Sequence, residues 1–166
     1  MEINGTTTVK TTLRRMRSDR FASYARAAVA GYAKDNIAAG RWEPVGALER
    51  ARADFEYLLP RGLDTPDNFL FEILEGEDGM VVGFAWLAIE RRYGPASAYL
   101  YDIGIHAAHR RKGHGVRALR ALEDFAVGAG AASIGLNVFA NNTGAQALYR
   151  KLGYAPTNFN MRKRLR

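Results

Sequence analysis

The chain has 166 residues, of which 48% are hydrophobic and 25% are charged. This balance is typical of one soluble globular domain, and it excludes a disordered or fibrous protein. The absence of cysteine excludes disulfides, cysteine-ligated zinc and a cysteine nucleophile. The net charge of +7 suits a polyanionic partner, and both nucleic acid and a phosphate-rich cofactor meet that description.

The first half of the chain predicts one strand, two helices and three further strands. Ser18 and Asp19 are both suitable N-caps for the first helix, and Gly40 is expected to end it. An acidic turn at residues 75–79 joins two of the strands into a hairpin. The predicted strands cover residues 9–16, 69–74, 80–89 and 98–105, and the predicted helices cover residues 18–40 and 45–58.

The second half predicts helices and strands in alternation. Helices at residues 116–127 and 143–152 enclose a strand at residues 133–139, and a last strand follows at residues 158–163. A crossover of this kind after three consecutive strands implies a mixed sheet with helices on both faces. The sequence shows no internal repeat and no linker, so we expect a single α/β domain over residues 1–166.

No stretch predicts a targeting or membrane-spanning segment. Residues 1–10 are polar and rich in threonine, and no run approaches the ~18 apolar residues that a bilayer span needs. We therefore expect a cytoplasmic protein without a membrane partner.

A basic loop followed by Gly-His-Gly at residues 113–115 is a candidate binding site. The two glycines open a predicted helix, whose first-turn amides have no acceptor within the helix. The helix dipole and the close approach that glycine allows both favour an anion at this position. Arg110, Arg111 and Lys112 add positive charge around it. A diphosphate is therefore a ligand that fits the loop well.

The residue pattern by itself also allows a dinucleotide-dependent oxidoreductase or a nucleic-acid-binding module. A nucleotide-hydrolysing P-loop is disfavoured, because residues 115–117 are Gly-Val-Arg where Gly-Lys-Ser/Thr is needed. The glycines with Ala118 satisfy the dinucleotide fingerprint of an oxidoreductase, but the acidic residue expected about 20 positions later is missing. A nucleic-acid-binding module that uses the loop and the basic tail at residues 162–166 is the other alternative.

Two linked signatures resemble those of the GNAT N-acetyltransferases. The first is Arg-x-x-Gly-x-Gly, here at residues 110–115. The second starts at Asn142 and continues through Tyr149 to Leu-Gly-Tyr at residues 152–154. With the first strand and the two leading helices, the resemblance covers nearly the whole chain.

Local patterns also resemble an uncharacterised bacterial subgroup of this family, which has no settled acceptor. They are residues 58–66 before the second strand, and Tyr-Asp-Ile at residues 101–103 before the loop. Two positions depart from the family pattern. Arg111 stands where glycine is common, which we expect to leave cofactor binding intact. Asn137 stands where histidine is often found, and there we expect a change on the acceptor side.

The resemblance implies a GNAT-like fold and acetyl-CoA as co-substrate. A mixed, mostly antiparallel sheet of about six or seven strands would be flanked by about four helices, with strands four and five splayed apart. The pantetheine arm would lie between those strands, and the amide of Ile103 or a near neighbour would polarise the thioester carbonyl. The residues expected to hold the coenzyme are Ile103, Gly104, Ile105, Arg110, Arg111, Lys112, Gly113, His114, Gly115, Val116, Asn142 and Tyr149.

Direct acetyl transfer needs an uncharged amine and an acid for the departing thiolate. Tyr149 matches the family's acid, and a phenol with a pKa of about 10 suits a thiol with a pKa of about 8.5; packing on its helix stripe is the alternative role. Asp102 is the candidate base, although alternation predicts that it lies opposite Tyr101 and Ile103. Asn142 is expected to cap its helix and to contact the coenzyme. Other candidate lining residues are Glu72, Tyr99, Tyr101 and Asn137.

The leading hypothesis is an acetyl-CoA-dependent N-acetyltransferase that acts on a primary amine of a small molecule or peptide in a ternary complex. We expect no metal at His106, His109 and His114, because the loop supplies no acidic partner and the spacing matches no zinc pattern. Nucleic acid is a disfavoured partner, since a basic tail on a final strand is typical of a solvated edge. A homodimer is compatible with the sequence.

Overall fold

The computed structural model describes residues 10–76, 79–92, 94–163 and 165. Within them, five strands form one sheet in the order β1-β2-β3-β4-β5. The strands are β1 (Thr11–Arg15), β2 (Asn68–Glu75), β3 (Val81–Glu90), β4 (Ser97–Ile105) and β5 (Ser133–Leu136). The helices are α1 (Ser18–Ala38), α2 (Ala47–Leu58), α3 (His114–Gly128) and α4 (Thr143–Lys151), with short 3-10 turns at Gly62–Asp64 and Ala107–His109.

The sheet is mixed and mostly antiparallel, as the sequence predicts. Strands β1 to β4 pair with their neighbours in antiparallel fashion, and β4 pairs with β5 in parallel. A parallel pair needs a crossover connection, and α3 provides it. The four α-helices also agree with the expected number.

Alternation along the strands sends side chains into two separate cores. Leu70 of β2 faces the layer of α1 and α2, whereas Phe71 and Ile73 face the layer of α3 and α4. Leu119 and Leu122 of α3 belong to the second core. Burying one such side chain contributes about 1.5–3 kcal/mol. Adjacent residues of β2 therefore stabilise the packing of helices on both faces of the sheet.

The start of α2 is two residues later than predicted. Gly46 has φ +75°, which lies in the left-handed region that glycine adopts without strain. The helix therefore begins at Ala47, which is 1% exposed, and Val45 is left 91% exposed. Local backbone geometry, rather than apolar periodicity, sets this boundary.

The predicted strand number is too high, because the described chain contains five strands rather than about six or seven. The last strand expected at residues 158–163 does not form, and β5 ends at Leu136 instead of residue 139. Instead, Arg162 Nη1 donates to the carbonyls of Gly40 at 2.8 Å and Arg41 at 3.3 Å. The described tail is tied to the end of α1, so its interpretation as a final edge strand is wrong.

Some sequence predictions concern residues outside the described ranges. They are Val9 at the start of the first predicted strand, residues 77–78 of the acidic turn, and Arg164 and Arg166 in the tail. Among the helices that the structure describes, none is long and apolar enough to cross a membrane.

A β-bulge at Tyr101 interrupts β4. Trp86 of β3 pairs with Asp102, and the next pair along β3 moves to Leu100, so Tyr101 is the extra residue. The bulge resets the alternation, and both Tyr101 and Asp102 face the layer of α1 and α2, opposite to Ile103. The prediction that Asp102 lies on the other face from Tyr101 is therefore wrong.

Strands β4 and β5 part after a short parallel ladder. Their pairing runs from Ser97 with Ser133 to Leu100 with Leu136. Residues 102–105 continue to pair with β3 on one side, but residues 101–105 have no partner in β5 on the other. The pairing of strands four and five therefore ends at Leu100, as the expected splay requires, and residues 101–105 have no strand partner on the side away from β3.

Candidate active site

The N-terminus of α3 has free backbone amides. Gly113 is its N-cap residue with φ +81°, and no side chain caps the helix. The first helical hydrogen bond runs from the Arg117 amide to the Gly113 carbonyl, at 3.2 Å. The amides of residues 114–116 therefore point out of the helix end. With the helix dipole behind them, they form a site suited to an anion.

The two glycines of this loop differ in what an added side chain would meet. A Cβ atom at Gly113 would lie 2.6 Å from Arg117 Nη1, and the positive φ would strain any other residue. At Gly115 the nearest atom to an added Cβ is Leu148 Cδ2, at an ordinary contact distance of 3.7 Å. The protein's own backbone explains Gly113, whereas no described neighbour requires glycine at position 115. A ligand that approaches the helix end closely would explain it.

Arg111 adopts a backbone conformation that suits glycine. Its φ is +63°, in a region that costs most residues roughly 1–2 kcal/mol. This gives a physical reason for the glycine that is common at this position in the resembling family. The other departure from that family, Asn137, is exposed directly after β5.

Arg117 ties the loop to the edge of the sheet. Its Nε donates to Thr11 Oγ1 at 2.8 Å, and its Nη2 donates to the Lys112 carbonyl at 2.8 Å. Arg110 folds back over the loop and donates from Nε to the Ile105 carbonyl at 2.9 Å. The cationic residues of the loop that remain exposed are Arg110, Arg111 and Lys112.

Gly104 is explained by packing within the sheet. An added Cβ would lie 2.4 Å from the ring of Phe84, which is its partner on β3. A Cβ at Gly83 would in turn lie 2.2 Å from the Gly104 carbonyl oxygen. The two strands approach too closely for larger residues, so the glycine at position 104 is not by itself a sign of a coenzyme contact.

Helix α4 packs in the same core as the end of β4, where that strand has no β5 partner. Asn142 caps this helix, because its side-chain oxygen accepts from the Ala145 amide at 3.1 Å. The capping role predicted for Asn142 is therefore confirmed. Tyr149 is half-buried and packs against the cluster that includes Ile103 and Ile105.

Asp102 makes no ion pair with any residue that the structure describes. The hydroxyl of Tyr24, on α1, donates to its Oδ2 at 3.1 Å. Burial raises the pKa of the Asp102 carboxyl to about 6, while hydrogen bonds from Tyr24 and the Ile103 backbone act in the opposite direction. The carboxyl therefore changes its charge close to neutral pH, which is a property of general bases.

Tyr149 lies in the same electrostatic environment as Asp102. Burial raises the pKa of the Tyr149 phenol, and the negative charge of Asp102 raises it further. Burial, followed by the charge of Asp102, also raises the pKa of Tyr24. Both phenols are therefore protonated at neutral pH and can donate a hydrogen bond or a proton.

The other candidate lining residues already have partners. Glu72 is 3% exposed and accepts from Nε and Nη2 of Arg14 at 3.1 and 3.0 Å. Because its charge is neutralised, it is a poor partner for a substrate amine. Tyr101 stacks on Trp86 with ring centroids 4.5 Å apart and contacts Tyr99 at 4.8 Å. These rings form an aromatic wall on the α1 and α2 side of β4.

A cluster of two histidines and a glutamate lies behind the loop. Glu75 Oε2 is 3.6 Å from His109 Nδ1 and 3.9 Å from His114 Nε2. The loop itself supplies no acidic partner, as expected, but β2 brings Glu75 to His109 and His114, which the sequence pattern did not indicate. Burial lowers the pKa of His114, and the charge of Arg117 lowers it further. The buried His114 side chain lies 3.0 Å from Thr11 Oγ1 of β1, so it faces the edge of the sheet.

Sequence reasoning missed Tyr24, Glu75 and the pair formed by Thr11 and Arg117. Each acts through a contact between elements that are distant in the chain, so local spacing carries no signal for it. Tyr24 did have a weak signal, since a buried tyrosine in a helix stripe needs a partner for its hydroxyl. Its partner could not be named without the bulge in β4.

Comparison with known proteins gives a family match over most of the chain. The chain matches the family model described as the acetyltransferase (GNAT) family over residues 17–154. The matched span contains all four α-helices and both sequence signatures.

Two curated relatives from Bacillus subtilis (strain 168) align over nearly their whole length. The uncharacterized N-acetyltransferase YdgE is 34% identical over 154 residues, which is 93% of this chain and 98% of the relative. The uncharacterized N-acetyltransferase YycN is 35% identical over 150 residues, which is 90% of this chain and 96% of the relative. The crystal structure of YycN, a putative acetyltransferase, has a TM-score of 0.89 and covers 94% of this chain and 99% of its own.

The fold is also similar to that of a more distant enzyme. The aminoglycoside N-acetyltransferase AAC(6')-Iy, solved in complex with CoA, has a TM-score of 0.63 at 19% identity and covers 98% of this chain and 99% of its own. At this identity the likeness concerns the fold alone. From the family match and the two Bacillus relatives it follows that the chain belongs to the GNAT family of N-acetyltransferases.

Proposed function

We propose that this protein transfers an acetyl group from acetyl-CoA to a primary amine, directly and in a ternary complex. The observation that carries the proposal is an uncapped helix N-terminus that follows the unpaired end of β4. The helix end suits a diphosphate, and the strand edge suits an extended arm with amide groups. Coenzyme A contains both parts in this order.

The residues present fit the coenzyme at both ends. At the diphosphate end, Gly115 allows close approach to the backbone, and exposed cations surround the helix N-terminus. At the other end, residues 101–105 have no strand partner on the β5 side, and the pantetheine arm would lie along this edge as an added strand does. The Ile105 carbonyl on this stretch accepts from Arg110 Nε. When bound, acetyl-CoA supplies an activated acetyl thioester.

Asp102 is the proposed base. An amine with a pKa of about 10 arrives protonated and must lose a proton before it can attack. Asp102 attracts the ammonium group by its charge and accepts the proton directly or through water. Tyr24 holds the carboxyl in place through its hydroxyl.

The amide of Ile103 is the proposed donor to the thioester oxygen. Negative charge develops on that oxygen during transfer, and a fixed backbone donor stabilises it. The same amide interacts with the Asp102 carboxyl. Proton uptake by Asp102 weakens this interaction, which leaves the amide free to donate to the substrate oxygen.

Tyr149 is the proposed acid. Its raised pKa keeps the phenol protonated at neutral pH, so it can donate a proton to the thiolate that departs. The second proton, which the nitrogen loses after its attack, restores the phenol. Its position on α4, in the layer that contains Ile103 and Ile105, supports this role. The capping bond of Asn142 sets the start of the helix that carries Tyr149.

The test is a thiol-release assay with acetyl-CoA and a panel of acceptors. The panel should contain simple amines, polyamines, amino acids, peptides with free N-termini and aminoglycosides. We expect acceptor-dependent thiol release with at least one class, together with an acetylated amine detected by mass spectrometry. Binding of NAD(P)H, or salt-dependent binding of nucleic acid, without any binding of acetyl-CoA would contradict the proposal and favour the corresponding alternative.

A further inference from the structure

We propose that Glu75, His109 and His114 form a binding site for a divalent transition cation of the zinc class. The three residues come from the end of β2, the 3-10 turn after β4 and the first position of α3. One ligand atom from each lies within 4.8 Å of the others. No sequence motif joins them, because the fold alone brings Glu75 to the two histidines.

The two imidazoles present unpartnered nitrogens to the same carboxylate. His109 Nδ1 and His114 Nε2 are both buried and make no hydrogen bond within the described residues. They lie 3.6 and 3.9 Å from Glu75 Oε2, which is too long for a good hydrogen bond. The side chain of His114 is 1% exposed, so its orphaned nitrogen has a cost that a ligand would remove.

The spacing of these atoms suits a metal centre. In a tetrahedral zinc site the bonds measure about 2.0–2.2 Å, which places neighbouring ligand atoms roughly 3.3–3.5 Å apart. The two distances from Glu75 Oε2, 3.6 and 3.9 Å, exceed this by only a few tenths of an ångström, and the ligand atoms of the two histidines lie within 4.8 Å of each other. Small side-chain rotations of Glu75 and His109 would close that difference.

Thr11 provides the outer contact that a metal-binding histidine commonly has. Its Oγ1 lies 3.0 Å from His114 Nδ1 and accepts from Arg117 Nε at 2.8 Å. The metal-binding tautomer of His114 carries its proton on Nδ1, donates to Thr11 and leaves the lone pair of Nε2 directed at Glu75. Arg117 Nη2 lies 3.4 Å from the same Nδ1 and can only donate, so this tautomer forgoes that longer contact. A contact such as that with Thr11 fixes both the tautomer and the ring orientation of a ligating imidazole.

The ligand set also selects the class of cation. Two imidazoles with one carboxylate favour Zn²⁺, Co²⁺ or Ni²⁺, whereas Mg²⁺ and Ca²⁺ prefer oxygen ligands. The Glu75 side chain is 31% exposed, so solvent can reach the site and a water molecule can complete the coordination. The negative charge of Glu75 also favours a cation at this position, although the neighbouring loop is basic.

The position of the site suggests what the cation would do. His109 and His114 stand at the two ends of the loop that contains the exposed cations Arg110, Arg111 and Lys112. A cation held by both histidines would tie the two ends of this loop to β2. A loop held in this way should bind acetyl-CoA more tightly. That expectation rests on the proposed function, whereas binding of the cation does not.

The direct test is calorimetric titration of the full-length, EDTA-treated protein with Zn²⁺, with Co²⁺ titration followed by visible absorption. We expect saturable binding of one equivalent, absorption bands typical of tetrahedral Co²⁺ and thermal stabilisation by Zn²⁺ but not by Mg²⁺. Glu75→Gln and His109→Gln should each weaken Zn²⁺ binding by more than tenfold, and Thr11→Val by about 10–100-fold. His106→Gln changes an exposed histidine outside the cluster and should leave the affinity unchanged.

Absence of saturable Zn²⁺ and Co²⁺ binding by the wild-type protein would overturn the site, and the three residues would then be only a buried polar cluster. Equal Zn²⁺ affinity in wild-type protein, Glu75→Gln and His109→Gln, with folding verified by circular dichroism, would overturn it as well. The effect on the coenzyme has its own readout. If Zn²⁺ binds as expected and the Kd for acetyl-CoA stays the same with and without it, the loop-tying role is wrong and the site stands.

Discussion

At the scale of single residues, Asp102 combines burial with the lack of a described ion pair, and Tyr24 donates the hydrogen bond that holds it. The structural reason for its raised pKa is that its charged form loses hydration without gaining a cation in return. The same feature affects both activity and stability, and it gives two separate predictions.

The first prediction concerns the pH dependence of turnover. If Asp102 must be ionised to accept a proton, kcat/KM rises with pH on a limb with an apparent pKa of about 6. Asp102→Asn should remove this limb and lower kcat by about 10²–10⁴-fold. Steady-state pH profiles of both proteins check this, with Asp124→Asn as a control at an exposed carboxylate on α3. A wild-type limb that persists unchanged in Asp102→Asn would remove Asp102 from the role of base.

The second prediction concerns stability. The Asp102 pKa is 3.8 in a model compound and about 6 in the folded protein, so the native state binds the proton more tightly than the unfolded state. Its contribution to stability is complete below pH 3.8 and is lost as the pH rises through about 6. Asp102→Asn should therefore stabilise the protein by about 1–3 kcal/mol at pH 7.5 and by little at pH 4. Urea unfolding at the two pH values measures this, and equal effects at both would contradict it.

The third prediction concerns Tyr149. Replacement by phenylalanine removes the proton donor and keeps the ring that packs on the core, so kcat should fall while the Kd for acetyl-CoA stays within about twofold. Stopped-flow or calorimetric binding together with thiol release separates the two effects. Tyr154→Phe is the matched control, because this ring lies 5.5 Å from Tyr149. If both variants retained full turnover, another group would have to protonate the thiolate.

At the scale of elements, a glycine in the first turn of α3 allows an effect on coenzyme binding to be separated from an effect on folding stability. Gly115→Ala meets only ordinary contacts and raises helix propensity, so stability should stay the same or increase by up to about 1 kcal/mol. A methyl group at the helix end should nevertheless obstruct the diphosphate and weaken acetyl-CoA binding by more than tenfold. Thermal unfolding and calorimetry check the two parts.

The control for that experiment lies at the other end of the same helix. Gly128 has no atom within 4 Å of an added Cβ, so Gly128→Ala should preserve coenzyme affinity. Equal affinity of Gly115→Ala and wild-type protein would show that position 115 does not approach the ligand.

Local signals predicted some helix boundaries and missed others. The N-cap of α1 is Arg17 rather than Ser18 or Asp19, and Gly46 delays the start of α2. Gly40 and the capping Asn142 correctly marked helix boundaries, because their effect acts within one turn. The bulge at Tyr101 gave no signal, since a change of register depends on the partner strand. Residues 158–163 looked like a strand, but Arg162 binds carbonyls at the end of α1 instead.

Some parts of the candidate site could be predicted from the sequence, and others could not. The loop at residues 110–116 could be identified from the sequence, because glycine and charge act locally on a helix N-terminus. The environment of Asp102 could not, because it requires Tyr24 from α1 and a bulge in β4. The contact of Glu75 with two loop histidines is equally invisible before folding.

At the scale of the whole molecule, the sheet determines where the chemistry can occur. β3 pairs with β4 along nearly its whole length, whereas β5 leaves β4 after Leu100. The two helical layers lie on opposite faces of this sheet. Asp102 faces one layer and Tyr149 packs in the other. In the proposed mechanism, the base and the acid would therefore reach one ligand from different layers, where β4 has no β5 partner.

The central claim is that this opening and the adjoining helix end bind acetyl-CoA, and thermal unfolding with added acetyl-CoA tests it most directly. A ligand at 100 times its Kd adds about 2.7 kcal/mol, which corresponds to a rise in Tm of about 5–11 °C for a chain of this size. We predict a saturable rise of this order with acetyl-CoA, no comparable rise with NADH, and a much smaller one for Gly115→Ala. An unchanged Tm at millimolar acetyl-CoA would contradict the account.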